Sequence, residues 1–240
     1  MKPILLFILS VLIISCSNNP KGGILSNLLP TKNEDSAINE ISKYYGGTCS
    51  CAFGKSISTA NGKKNYVELE VKQSEVLETY KNNADLPCSN IAYLFYAKLV
   101  DEKTKYDEIR TVISYNDGTS TTCSYPLSQL EIVKAKMLLV NKVFGFINEK
   151  KFDSLRSMLN DTSFAKYKKD LIDSIIKTED VKGPVKKVIP FGFAFGKISS
   201  GKEVLHISVA IFREKQRDQF SVDFDPNIAS NNIISMNYKF

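Results

Sequence analysis

The chain has 240 residues, of which 43 % are hydrophobic and 24 % charged, and a formal net charge of +6. That is the balance of an ordinary globular protein, large enough for one large or two small domains, not of a disordered or repetitive chain. The positive excess falls after residue 125, mostly at Lys150, Lys151, Lys166, Lys168, Lys169, Lys186 and Lys187. It reads as a solvated lysine-rich helix face rather than a polyanion site.

Residues 1–15 have the pattern of a signal peptide. Met1-Lys2 gives a short positive start, and Ile4 to Ile14 is apolar except for Ser10. A membrane-spanning helix needs about 20 apolar residues, and this run is roughly half that. Ile13-Ile14-Ser15-Cys16 resembles the lipobox of bacterial lipoproteins: aliphatic, aliphatic or small, small, then cysteine. The resemblance implies cleavage before Cys16 and acylation of that residue. Two or three acyl chains hold a protein on a membrane where one gives only marginal binding. Position 17 is Ser rather than the Asp that resembles an inner-membrane retention signal, which leans toward the outer membrane. Export to the envelope removes nucleic acid as a partner, and no nucleic-acid recognition motif is present.

Residues 16–32 read as lipidated cysteine plus tether, with Asn18-Asn19-Pro20, Gly22-Gly23 and Pro30. A flexible coil of about 16 residues spans roughly 20–25 Å. A helix is expected from Glu34 to Tyr45, capped by Asn33 and ended by Gly46-Gly47. A strand through Cys49, Cys51 and Phe53 turns at Asn61-Gly62 into a second strand, where Val67, Leu69 and Val71 alternate with Glu68 and Glu70. Helical patterning starts at Glu75, breaks at Pro87 and restarts at Ser89-Asn90. Two strands, Ile109 to Tyr115 and Thr119 to Tyr125, flank a turn at Asp117-Gly118. These elements make residues 33–126 an α+β domain.

Residues 127–240 are expected to form a second α+β domain. Leu130 to Ile147 reads as a long helix buried on most sides, followed by helices to about Lys177 and a break at Gly183-Pro184. Four strands follow, at about 188–199, 203–213, 219–225 and 233–240. Ile234, Met236, Tyr238 and Phe240 form the apolar set of the last. Helices followed by a four-stranded antiparallel meander resemble the nuclear transport factor two-like, or cystatin-like, fold. The resemblance covers about residues 128–240 and includes the phrases Phe146-Ile147…Phe152-Asp153-Ser154-Leu155 and Val222-Asp223-Phe224-Asp225. It implies a curved sheet wrapped on helices, often with a conical pocket, and carries over no functional residue.

Four cysteines besides Cys16 remain: Cys49, Cys51, Cys88 and Cys123. An exported compartment permits disulfides. Cys49 and Cys51 share one side of a strand, so Cys88 and Cys123 are their expected partners, one to each, with the connectivity open. Free buried thiols are the alternative. Paired C-x₂-C knuckles are missing and the single histidine is distant in sequence, so no metal site is expected.

Other candidate chemistry reduces to turns. Gly196 to Lys202 has the glycine and lysine spacing of a phosphate loop, but Glu203 stands where Ser or Thr belongs, and the context is a hairpin. Asp223-x-Asp225-x-Asn227 opens like a calcium loop but lacks the glycine and the closing glutamate. His206 lies on the face opposite Leu205, Ile207 and Val209, and pairing with Asp223 across the sheet would make it a general base. Phe191, Phe193 and Phe195 share a face of their strand, either as core or as the wall of an apolar pocket. Pro190, Gly192, Ala194 and Gly196 stand on the other face, where they permit close approach.

The leading expectation is a non-enzymatic, membrane-anchored envelope protein that needs no cofactor and binds an envelope protein or a small apolar ligand. The rival is a pocket hydrolase or isomerase using His206 with Asp223 or Asp225. A third is a structural spacer.

Overall fold

A computed structural model describes residues 29–58, 62–159, 167–199 and 201–238. The expected signal peptide, Cys16, most of the tether, Asn61, Lys166 and Phe240 lie outside the described residues. The fold is α+β, with six α-helices and two four-stranded sheets among the described residues. None of these helices is long and apolar enough to cross a membrane.

Helix α1 (Lys32–Tyr45) begins two residues before the start that Asn33 would cap. Thr31 is the cap instead: its hydroxyl accepts from Glu34 N at 3.3 Å, and its own amide donates to Glu34 Oε2 at 2.7 Å. This reciprocal pair satisfies two amides that the helix leaves open. Asn33 turns outward and donates to Glu102 Oε1 at 3.0 Å; Glu102 also accepts from the Thr31 hydroxyl at 2.8 Å and Val100 N at 3.0 Å. Glu102 thus ties the start of α1 to the short 3₁₀ turn Asp101–Lys105. Ala37, Ile41 and Tyr45 recur every four residues and are buried.

Strands β1 (Thr48–Ser58) and β2 (Gly62–Lys72) form an antiparallel hairpin, as do β3 (Glu108–Ser114) and β4 (Ser120–Pro126). The two hairpins join through β2 and β3, which run parallel. A parallel pair cannot be closed by a tight turn and needs a crossover, usually helical. The short α2 (Glu75–Glu78) and the long α3 (Asp85–Lys98) supply it. Pro87 does not interrupt α3. It sits in the first turn, where its missing N–H would be unpaired in any case.

From Pro87 to Tyr96 every residue of α3 except Tyr93 is buried. The helix packs on α1, β3, β4, the following helix α4 (Leu127–Asn148) and the first strand of the second sheet. The sequence assigned this all-round burial to α4. There Leu130, Val133, Met137, Val140, Phe144 and Ile147 make an inner stripe, but Leu138 is 65 % exposed. Pro126 ends β4 and α4 starts at the next residue, and the chain from Thr31 onward groups as one compact unit.

Helices α5 (Phe152–Met158) and α6 (Lys168–Lys182) lead into β5 (Lys187–Lys197), β6 (Glu203–Phe212), β7 (Arg217–Phe224) and β8 (Ile233–Tyr238). These strands form an antiparallel meander in the order β5-β6-β7-β8. Leu205, Ile207, Val209 and Ile211 alternate inward with Phe220, Val222 and Phe224, and Phe144 of α4 meets Phe220 edge-on at 5.0 Å. Arg213, whose side chain is fully buried, joins α6 to this sheet through Glu179 at 2.5 Å and Asp218 at 3.2 Å.

A β-bulge separates Pro190 from Gly192, so the alternation expected along β5 breaks. Pro190 pairs with Val209 and Phe193 with Ile207, which places Pro190 and Phe193 on the same inner face. Gly192 has φ 152°, and a Cβ there would lie 2.6 Å from the Leu86 carbonyl oxygen of α3. Only glycine fits between the bulge and the helix.

Two consequences are measurable. Gly192→Ala should lower stability by about 1–3 kcal/mol, read from denaturant unfolding, while an exposed Ala194→Ser control stays near wild type. For Glu102, burial works to raise the carboxyl, but hydrogen bonds from backbone amides, Thr31 and Asn33 outweigh it and hold it at about 2. A depressed carboxyl contributes stability that is full above the ordinary range and is lost as pH falls. Unfolding midpoints should therefore drop between about pH 4.5 and about pH 2, and Glu102→Gln should remove that part of the acid sensitivity.

Candidate functional site

The period of two along β6 sends Leu205, Ile207 and Val209 to the core, and His206 and Ser208 to the other face of the sheet. There the register builds a row Ala194–His206–Asp223–Ser235 across all four strands. His206 Nδ1 lies 2.7 Å from Asp223 Oδ1, and Nε2 lies 3.1 Å from Ser208 Oγ. The Ser235 hydroxyl donates to the second Asp223 oxygen. The expected His206–Asp223 pair is therefore formed. Asp225 stays out of it: its Oδ1 accepts from Asn227 N at 3.0 Å within the β7–β8 turn.

Electrostatics fix the cluster's chemistry. Partial burial works to raise the Asp223 carboxyl, but hydrogen bonds from His206 and Ser235 outweigh it and hold the group below its usual range. An ionised Asp223 accepts the Nδ1 proton, so the neutral ring carries its hydrogen on Nδ1 and accepts from the Ser208 hydroxyl at Nε2. The order Ser208–His206–Asp223 is that of a nucleophile, a base and an orienting carboxylate. Exposure decides between this role and a structural one. His206 is 40 % exposed at its side chain, whereas Ser208 is 3 % exposed. The serine closes the ring's second nitrogen and is itself sheltered from an attacking approach. What the row offers outward is an oriented imidazole edge in a polar strip with Ser221, Ser235 and Asn237.

The aromatic residues do not join it. Phe193 and Phe195 pair with Ile207 and Leu205 and so face the core, opposite His206. Phe193 meets Tyr125 edge-on at 5.4 Å and Phe195 at 6.1 Å. Phe191, displaced by the bulge, packs against Tyr80 at 5.8 Å. The open space beside Phe193, Tyr93 and Met137 is about 10 Å³. That is about the room one water needs, so the expected pocket of His206, Asp223, Phe191, Phe193 and Phe195 is divided among three places.

A cleft that the sequence did not reveal lies at the end of the β5–β6 hairpin. It measures about 300 Å³ and is lined by Gln129, Phe195, Gly196, Lys197, Glu203 and Val204. Its volume is at the lower end of small-molecule sites. Lys197 and Glu203 stand 4.0 Å apart there. The cleft joins the first turn of α4 to a distant hairpin, and no local pattern announces such a meeting. The phosphate-loop spacing falls in the same hairpin, where Ile198 N donates to Lys202 O at 3.0 Å and no helix follows.

The cysteines Cys49, Cys51, Cys88 and Cys123 carry free thiols. Cross-strand partners run Cys51–Leu69–Thr111–Cys123, which puts Cys51 and Cys123 on opposite edges of the first sheet. Three strand spacings are roughly 14 Å, beyond the reach of a disulfide. The expected linkage of Cys123 to the Cys49-Ser50-Cys51 segment does not fit this sheet. Burial pushes the Cys49 thiol up to about 12 and the Cys51 thiol up to about 11. The lysines of the second half are interleaved with acids: Lys150 lies 3.7 Å from Asp180, Lys151 2.6 Å from Glu149, and Lys169 2.6 Å from Asp173.

Replacing Asp223 with Asn tests the assignment. Asp223→Asn should cost about 1–3 kcal/mol of stability and shift the His206 ring resonances in the NMR spectrum. Unchanged ring resonances would place the imidazole outside this row.

Comparison with family models, curated proteins and solved structures gives no match for this chain.

Proposed function

We propose that this chain is a lipid-anchored envelope protein whose folded body is a non-enzymatic binding or assembly module for an envelope protein partner. The observation that carries the reading is the apolar run Ile4 to Ile14 ending in Ile13-Ile14-Ser15-Cys16. Acylation at Cys16 places the body on a membrane, and Ser17 favours the outer membrane. The two sheet-bearing halves, 33–126 and 127–240, then stand on a tether reaching roughly 20–25 Å. Helices preceding a four-stranded meander support a cystatin-like reading of the second half.

Two features favour a protein partner over a small apolar ligand. Phe191 and Phe193 are spent on packing, with about 10 Å³ beside Phe193, and the cleft that Phe195 borders is shared with Lys197 and Glu203. The opposite face of β5–β8 presents a polar strip with His206 oriented at its centre. A hydrolase is the second reading, favoured by the order Ser208–His206–Asp223 and weakened by the burial of Ser208.

In-cell photo-crosslinking tests the proposal. With a crosslinking residue at exposed Ala194 or Gln219, the full chain should link to an envelope protein, and Cys16→Ala should both leave the membrane fraction and lose the link. A Cys16→Ala chain that stays membrane-bound and crosslinks unchanged would contradict it. Ester hydrolysis abolished by Ser208→Ala in a folded protein would favour the enzyme.

A further inference from the structure

Cys88 and Cys123 come together although they are far apart in sequence. Cys123 lies on β4, the edge strand of the first sheet, opposite Thr111 of β3. Two residues further along the same face, the Tyr125 hydroxyl donates to the Asp85 carbonyl of α3 at 3.4 Å. Cys88 follows Asp85 by nearly one helical turn, on the helix that packs against β3 and β4, and each thiol shifts the other's ionisation. Cys88 is fully buried, whereas Cys123 is partly exposed on the sheet edge. The buried Thr111 hydroxyl lies beside both thiols. Cys49 and Cys51 stand on the far edge of the sheet.

We propose that Cys88 and Cys123 are a reversible dithiol–disulfide pair, in which Cys123 exchanges with an external disulfide and buried Cys88 resolves the product. The Cys123 thiolate attacks one sulfur of the oxidant, forming a mixed disulfide and releasing the oxidant's other sulfur as a thiolate. Cys88, deprotonated as it reacts, then attacks the Cys123 sulfur. The Cys88–Cys123 bond forms and the second oxidant thiolate leaves. The protein gives up two electrons and two protons, and the oxidant is reduced to two thiols. The oxidant is a disulfide, either that of a thiol oxidase or a small-molecule one.

The asymmetry of the pair suits this division of labour. Interaction with Cys88 lowers the Cys123 thiol against the opposing effect of burial, while interaction with Cys123 and burial raise that of Cys88. The exposed member is thus the one that ionises more readily, and reactivity follows the thiolate. Closing the bond would fasten the first turn of α3 to the edge of the sheet that α3 crosses.

The test uses the full-length reduced protein with oxidised glutathione, followed by alkylation and peptide mapping without reductant, with Cys16 tracked separately. The expected product joins the Cys88 and Cys123 peptides with loss of two hydrogens, leaving Cys49 and Cys51 alkylated. Before oxidation, Cys123 should alkylate at least about ten-fold faster at pH 7 than Cys49 or Cys51. Cys88→Ser should stop at a glutathione adduct on Cys123, and Cys123→Ser should leave Cys88 unmodified. A wild-type protein that stays at the Cys123–glutathione adduct, does not react, or joins Cys123 to Cys49 or Cys51 overturns the proposal. The wild-type map decides alone if either variant does not fold.

Discussion

The burial of α3 is the constraint on which the rest of the structure depends. Parallel pairing of β2 with β3 requires a crossover, and the helix that makes it is covered on almost every side. One face meets β3 and β4, another meets β5, and α1 and α4 close the remainder. Backbone as well as side chains are committed there. The Ser89 hydroxyl accepts from Phe193 N at 2.8 Å, and Asn90 Nδ2 donates to the Tyr45 hydroxyl at 2.8 Å. Polar groups buried this deeply hold position because leaving them unpaired is costly.

From that contact the candidate site follows. The Leu86 carbonyl approaches β5 so closely that Gly192 can carry no side chain, and the strand bulges beside it. The bulge diverts Phe191 toward Tyr80 and leaves Phe193 and Phe195 in phase with the inner residues of β6. On the other face, small Ala194 of β5 stands beside His206, whose ring stays partly exposed, while Ser208 is buried. The polar row is thus the outward side of the same alternation that builds the core. Its ring is oriented by neighbours on its own strand and the next, which makes it rigid without enclosing it.

Much of this was legible in the sequence. Alternation located β2, β6 and β7, turn residues located the β3–β4 hairpin, and the pairing of His206 with Asp223 follows from two adjacent strands in antiparallel register. What was not legible depended on contacts between distant segments. Asn33 is a good cap by residue type, but Glu34 three residues after Thr31 completes a capping box. The apolar stretch Leu138 to Ile147, interrupted only at Asn141, Lys142 and Gly145, suggests all-round burial for α4, yet α3 is the enclosed helix, where the Ser89 hydroxyl and Asn90 Nδ2 are bonded. The bulge, the cleft beside Lys197 and Glu203, and the position of Cys123 relative to Cys51 follow from strand order and packing. No window of sequence contains that information.

A polar strip on one sheet face suits the display of a surface to a partner, and on the proposed reading a lipid anchor would set where that display occurs. The anchor is the element on which the reading stands, and it is most directly tested by the mass of the mature N-terminal peptide. The account predicts that the chain isolated from cells begins at Cys16 and carries a diacylglyceryl group on its sulfur. A mature chain that begins elsewhere, or an unmodified Cys16, would contradict it.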